Sequence, residues 1–130
     1  MSKNLTTGVT PELNGSGHRI ALICARWNDV IVNRLENGAR EALVNAGVAE
    51  GDIVSIKVPG ALEIPIAMNA ALATGTFDAA IALGVVLRGD TYHFEVVSNE
   101  SASGVMSVGL DSERVVTNGI LTVDTEAQAD

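Results

Sequence analysis

Apolar positions along this chain change period several times, and each change marks an element. His18 to Ala25 is a nearly unbroken apolar run and reads as a first strand. The polar turn Arg26-Trp27-Asn28-Asp29 follows. Ile31, Leu35, Ala39, Ala42, Leu43 and Ala46 then recur at helical spacing, with Gly47 where a C-terminal cap belongs. Asp52 to Val58 reads as a second strand, ended by Pro59-Gly60. A second helix is predicted from about Glu63 to Ala73, stopped by Gly75. Ala79 to Leu87 is continuously apolar, the mark of a strand covered on both faces. Arg88-Gly89-Asp90-Thr91 leads into a third helix carrying His93, Val96, Val97 and Glu100, and Val115 to Val123 reads as a fourth strand. The alternation of strand and helix predicts an α/β fold, a parallel sheet with helices on both sides.

The two ends break this rhythm. Residues 1–17 are rich in Ser, Thr, Asn and Gly and are expected to form a flexible N-terminal arm, leaving 18–130 as the folded domain. At the other end Thr125-Glu126-Ala127-Gln128 has the spacing of a capping box, in which Thr and Gln satisfy the first free amides of a helix. The chain ends at Asp130, barely one turn later, and one turn does not sustain itself because nucleation is the costly step. The expectation is a domain truncated at its C-terminus, with C-terminal helices missing.

Composition narrows the function classes. The chain has 130 residues, enough for one domain, and is 47% hydrophobic but only 3% aromatic, so Ala, Val, Ile and Leu must build the core. Its formal net charge is −8, from 16 acidic against 8 basic side chains. An acidic surface repels polyphosphate backbones, which argues against nucleic acid as a partner while allowing one local phosphate site. No apolar run reaches the ~20 residues of a membrane span, and the N-terminal stretch lacks the apolar segment of a secretory signal. The single cysteine, Cys24, lies inside the first apolar run and reads as a small buried hydrophobe in a reducing cytoplasm.

Ligands of open parallel sheets bind outside the carboxyl ends of the strands, so the residues following each predicted strand are the candidates. Trp27 follows the first strand. It is either a platform for a heteroaromatic ring or an aromatic packing on a neighbouring helix or subunit. Gly89-Asp90-Thr91 precedes a helix, where free amides and the helix dipole favour an anion such as phosphate; simple capping by Asp90 or Thr91 is the alternative. His93, in the first turn of that helix, can move protons near neutral pH or be structural. Glu63 opens the second helix, where the dipole favours a carboxylate in any case, and could accept hydrogen bonds from a polyol. Glu100 and His18 are weaker candidates.

Several patterns are decoys. Arg88-Gly89-Asp90 matches an adhesion tripeptide, but at a strand end in a chain without a secretion signal. Three glycosylation sequons, at Asn4, Asn14 and Asn99, mean nothing in a cytosolic protein. There is no Walker loop, no dinucleotide fingerprint and no spaced Cys/His set for a metal. A flavodoxin-type electron carrier would share the architecture but needs a phosphate loop where this chain has Arg26-Trp27-Asn28-Asp29.

The segments Ala25-Arg26-Trp27-Asn28, Val58-Pro59-Gly60-Ala61-Leu62-Glu63-Ile64-Pro65 and Ala82 to Glu95 resemble the lumazine synthase family. Asn99-Glu100-Ser101 and Asn118-Gly119-Ile120-Leu121-Thr122 follow at the family's spacing, so the resemblance covers His18 to Asp130. It implies a three-layer α/β/α, flavodoxin-like subunit with a parallel four-stranded sheet, assembled into pentamers or multiples of pentamers, with active sites between subunits. By position, Trp27 matches the aromatic that stacks on the pyrimidinedione, and Asn28 beside it is a further substrate-binding position. Gly60, Ala61, Leu62 and Glu63 match the segment that holds the ribityl chain. Val86 and Leu87 match the backbone that reads the pyrimidine edge, and Gly89, Asp90 and Thr91 the phosphate turn. His93 matches the proton-transfer residue, and Asn118 a position reaching the neighbour's site.

The implied reaction joins 5-amino-6-(D-ribitylamino)uracil to 3,4-dihydroxy-2-butanone 4-phosphate, giving 6,7-dimethyl-8-ribityllumazine, phosphate and water. No step requires a metal or a redox cofactor. The departure is the C-terminus, where relatives continue into a helix whose Arg binds the substrate phosphate. The alternative this leaves open is an assembling or ligand-binding subunit with little catalysis.

Overall fold

The computed structural model describes residues 12–130. Strand β1 spans Ile20–Ala25, helix α1 Asp29–Asn45, strand β2 Ile53–Val58 and helix α2 Ile64–Ala73. Strand β3 spans Ala79–Leu87, helix α3 His93–Ser112, strand β4 Val115–Val123 and the short helix α4 Glu126–Ala129. Short 3-10 turns at Glu50–Asp52 and Ala61–Glu63 precede β2 and α2. The strands form one parallel sheet in the order β2-β1-β3-β4.

The elements follow the apolar pattern closely, and the deviations have local causes. β1 starts at Ile20 instead of His18 because Arg19 is used as a clip: its N–H donates to Asp78 Oδ2 at 2.8 Å, and the Asp78 N–H donates back to Arg19 O at 2.8 Å. Glu63 does not open α2 but ends the 3-10 turn before it, and Pro65 occupies the first turn of α2, where its missing N–H has no helical partner to lose. Gly47 ends α1 at φ 101°, with its N–H on Val44 O at 3.0 Å and the Val48 N–H on Leu43 O at 3.0 Å, a Schellman closure. The capping box at Thr125 forms as its spacing predicts: Gln128 N–H reaches Thr125 Oγ1 at 3.4 Å, and Gln128 Oε1 accepts from Thr125 N–H at 3.3 Å.

Alternation along β1 and β3 sends successive side chains to opposite faces. Ala21, Ile23, Ala80, Ala82 and Val86 meet Ile64, Met68 and Leu72 of α2 and Val97, Val105 and Val108 of α3. Ile20, Leu22, Cys24, Leu83 and Val85 meet Val32, Ile31, Leu35 and Leu43 of α1. One helix on one face and two on the other make the three-layer α/β/α arrangement, flavodoxin-like in strand order. Coverage thins at β4, where Val115 is 67% exposed and Leu121 and Val123 are only partly buried.

A polar network ties α1 to the edge strand β2. The Glu36 carboxylate accepts from Ser55 Oγ at 2.5 Å and from Lys57 Nζ, while Arg40 Nη2 donates to Ser55 Oγ at 2.7 Å. Burial pushes the Glu36 carboxyl up, but the bonds from Lys57 and Ser55 outweigh it and hold the group below the usual glutamate range. Within the expected arm, residues 12–17 lie at the end of α1, where the Gly15 N–H donates to Ala46 O at 2.7 Å; residues 1–11 lie outside the described residues. Among the described residues no helix is long and apolar enough to cross a membrane.

Candidate active site

The strand order creates the site. From β1 the chain leaves to α1 on one face of the sheet, whereas from the adjacent β3 it leaves to α3 on the other. Where neighbouring connections part in this way, a crevice opens at the carboxyl edge. A concave cleft of about 260 Å3 lies there, lined by Ala25, Trp27, Asn28, Gly60 to Glu63, Val85 to Leu87, His93 and Val97. Nine of the thirteen positions that the family resemblance singles out therefore converge on one cleft: His93, Trp27, Asn28, Gly60, Ala61, Leu62, Glu63, Val86 and Leu87.

Backbone bonds hold the two loops on the β1 side together. The Arg26 N–H donates to Val58 O at 2.8 Å, and the Trp27 N–H donates to Pro59 O at 3.2 Å, so the turn after β1 rides on the end of β2. The indole of Trp27 then stands over Gly60: a Cβ built on Gly60 would lie 3.0 Å from Cε3 and 3.1 Å from Cζ3. Gly60 has extended backbone, so its lack of a side chain matters for this approach and not for its dihedrals. Trp27 remains 67% exposed, which leaves indole surface open to a ligand.

Glu63 Oε1 accepts the Gly60 N–H at 2.9 Å, fixing the turn beneath the indole. Its Oε2 takes no hydrogen bond among the described residues and is available to a hydroxyl. Leu62 is 42% exposed at the cleft rim. The floor is apolar, from Ala25, Val85, Val86 and Val97. His93 is the first residue of α3, exposed, with its N–H on Thr91 Oγ1 at 3.3 Å.

The other four of these thirteen lie outside the cleft lining, as do the weaker candidates His18 and Glu100. Gly89, Asp90 and Thr91 form an exposed turn immediately before His93; space around Gly89 is open, and Thr91 serves as a local cap for the His93 amide. Asn118 is on β4, beside Val105, Met106, Leu110 and Val115 in a separate surface groove, and its Oδ1 accepts the Ile120 N–H at 2.8 Å. Within a single subunit, Asn118 and His93 do not share a site.

Two features of the site are not among the sequence candidates. Ala25, Val85 and Val97 line the cleft because they sit at a strand end or one helical turn beyond His93, a signal available from the strand boundaries. Arg88 carries the more consequential one. Its Nε donates to Asp124 Oδ1 at 2.6 Å, its Nη1 pairs with Glu95, and its guanidinium lies 4.1 Å from the Phe94 ring centroid. The glycine turn is thus anchored at its start to both α3 and the exit of β4. The bond from Arg88 holds the Glu95 carboxyl below the usual glutamate range.

Cys24 is fully buried, and burial followed by the nearby Glu36 charge pushes its thiol up to about 11. It is no nucleophile at neutral pH. Among the described residues no group of three or more His, Cys, Asp or Glu side chains is placed to hold a metal ion.

The model of the family "6,7-dimethyl-8-ribityllumazine synthase" matches residues 17–130. The protein of that name from Ralstonia pickettii is 50% identical over 118 residues, covering 91% of this chain and 71% of the relative. The one from Cupriavidus metallidurans is 49% identical over 118 residues, covering 91% and 70%, and that from Burkholderia vietnamiensis 45% identical over 119 residues, covering 92% and 70%. With the match running across both the sheet and every loop of the cleft, this chain belongs to the 6,7-dimethyl-8-ribityllumazine synthase family.

Proposed function

We propose that the cleft is where this transferase of riboflavin biosynthesis joins 5-amino-6-(D-ribitylamino)uracil to 3,4-dihydroxy-2-butanone 4-phosphate. The observation that carries the assignment of roles is the meeting of Trp27, Glu63 and His93, from three different connections, around one apolar floor. The pyrimidinedione stacks on Trp27, with its edge on the backbone of Val86 and Leu87. Its ribityl chain runs along Gly60, Ala61 and Leu62, where Glu63 Oε2 accepts from hydroxyls. The butanone phosphate sits over the Gly89-Asp90-Thr91 turn, its anion facing amides at the start of α3.

The amine on the pyrimidinedione attacks the ketone carbon, and loss of water from the carbinolamine gives an imine. Phosphate then leaves as its carbon–oxygen bond breaks, and the ribitylamino nitrogen closes the second ring with loss of a further water. His93 carries protons between the nitrogen and oxygen atoms in these steps, a role worth about 10²–10⁴-fold in rate. Holding two reactants in one cleft contributes through their effective concentration.

The cleft is open and small for two reactants, and Asn118 stands in a different groove with exposed Met106 and Leu110. A homo-oligomer, a pentamer or a multiple of pentamers, accounts for both: Asn118 of one subunit completes the cleft of the next. The buried free thiol of Cys24 fits a reducing compartment, and we place the enzyme in the cytoplasm.

The test is to mix the purified chain with both substrates and follow lumazine absorbance and phosphate release above the uncatalysed background. Product that forms with this chain, and falls sharply with His93→Ala and Trp27→Ala, is the expected result. A rate equal to background, or one indifferent to both substitutions, would overturn the site assignment.

A further inference from the structure

Asn28 has a conformation that its position does not explain by sequence alone. It has φ 60° and ψ 48°, one of only two non-glycine residues with positive φ among the described residues. The left-handed region is costly for side chains other than Gly, Asn and Asp, and residues held there cluster at functional sites. At the start of α1, Asn28 contributes its carbonyl to the first helical bond, from the Val32 N–H at 3.0 Å, but no side-chain cap. Its amide points elsewhere: Nδ2 donates to the carbonyl of Val85 in β3 at 3.2 Å.

That bond falls where the sheet has just ended. The β1–β3 pairing stops at Cys24 opposite Leu83, while β3 continues to Leu87 paired only with β4. In a parallel strand the peptide groups of alternate residues turn to opposite neighbours. Arg88 N–H bonds to Val123 O on the β4 side, so the peptide groups of Val85 and Leu87 turn to the side that β1 has vacated, toward the cleft. Asn28 thus supplies the Val85 carbonyl with a bond beyond the last β1–β3 pair, and no β1 residue pairs with Leu87.

We propose that Asn28 is the positioning residue that sets the distance between the stacking platform and the hydrogen-bonding edge of the cleft. Trp27, its chain neighbour, presents the platform; Val85 leads directly into the edge formed by Val86 and Leu87. A flat heteroaromatic ring must satisfy both at once, and among the described residues the Asn28 amide is the one side-chain hydrogen bond that links them. This rests on the stacking role proposed for Trp27. It differs from a ligand-binding role for the Asn28 amide, because the donor is already committed to Val85.

The experiment compares the wild type with Asn28→Asp, which tolerates the left-handed conformation but replaces the donor with an acceptor, and with Asn28→Gly, which keeps the backbone and removes the side chain. Trp27 is the only tryptophan, so time-resolved fluorescence anisotropy reports its local motion without interference and without a ligand. Both variants are expected to keep the wild-type circular dichroism spectrum while Trp27 gains a faster local component. The KM for the pyrimidinedione is expected to rise about tenfold in Asn28→Asp, with the KM for the butanone phosphate within about twofold. An Asn28→Asp protein with wild-type anisotropy overturns the proposal, as does one in which the two KM values rise together. If the wild-type chain neither turns over nor binds 6,7-dimethyl-8-ribityllumazine, the functional reading fails. The ligand-free anisotropy comparison then still decides whether Asn28 holds Trp27.

Discussion

Trp27 and Gly60 approach so closely that a side chain at Gly60 would force the indole to give way: a Cβ there would meet it at 3.0 Å. The two residues lie 33 positions apart in sequence (60 − 27) and meet because the backbone after β1 bonds to Pro59 O at the end of β2. Gly60→Ala should therefore displace the indole while sparing the core, since Trp27 is largely exposed and free to yield. The expected stability change is within about 1 kcal/mol, with pyrimidinedione affinity lowered about tenfold. Thermal denaturation alongside ligand quenching of Trp27 fluorescence checks both halves; unaltered quenching would show that the indole is not the platform.

His93 is exposed at the first position of α3, and among the described residues its side chain makes no hydrogen bond. His93→Ala should leave the melting temperature near that of the wild type and lower kcat by about 10²–10⁴-fold. Steady-state kinetics beside a melting curve separates this from a folding defect, and a kcat within a few-fold of wild type would remove His93 from proton transfer.

The Glu36 network gives a pH dependence whose sign follows from its direction. Its carboxyl is held below the usual value of 4.5, so the folded state binds that proton less readily than the unfolded state. The stabilisation is present above 4.5 and is lost as pH falls through the lower folded-state value. Glu36→Gln should lower stability at neutral pH by about 1–2 kcal/mol and reduce the loss below pH 4.5. Urea unfolding at a series of pH values measures it; parallel curves for the two proteins would contradict the prediction.

Cys24 should be inert in the native protein. Its thiol is fully buried and raised to about 11, so the thiolate is scarce at pH 8 by about three orders of magnitude. Ellman's reagent is expected to titrate it only after denaturation. Prompt native reaction would mean that the sheet opens around β1 far more readily than its packing suggests.

The four strands and three long helices were legible in the chain because each is decided locally. The apolar run Ala79–Leu87 is long enough to need cover on both faces, and the 3.6-residue recurrence from Ile31 to Ala46 has only one conformation that puts those side chains on one side. The capping chemistry at Gly47 and Thr125 is local too, and it forms as read. The candidate chemistry could be placed at strand ends for the same reason. Which residues of that edge belong together depends on strand order, which no local pattern contains.

Only the tertiary structure decided that β1 lies between β2 and β3. That order sets Trp27 on Gly60, brings Asn28 to Val85 and leaves Asn118 on the far edge strand, away from the cleft. It also decided that β4, which carries Thr117, Asn118 and Thr122 among its apolar residues, is only partly covered, because α1 packs over β1 and β3. The alternation of polar and apolar residues specifies what each segment must bury. Long-range packing alone specifies against what, because a strand's partners are chosen by the shape of the whole sheet and not by the strand itself.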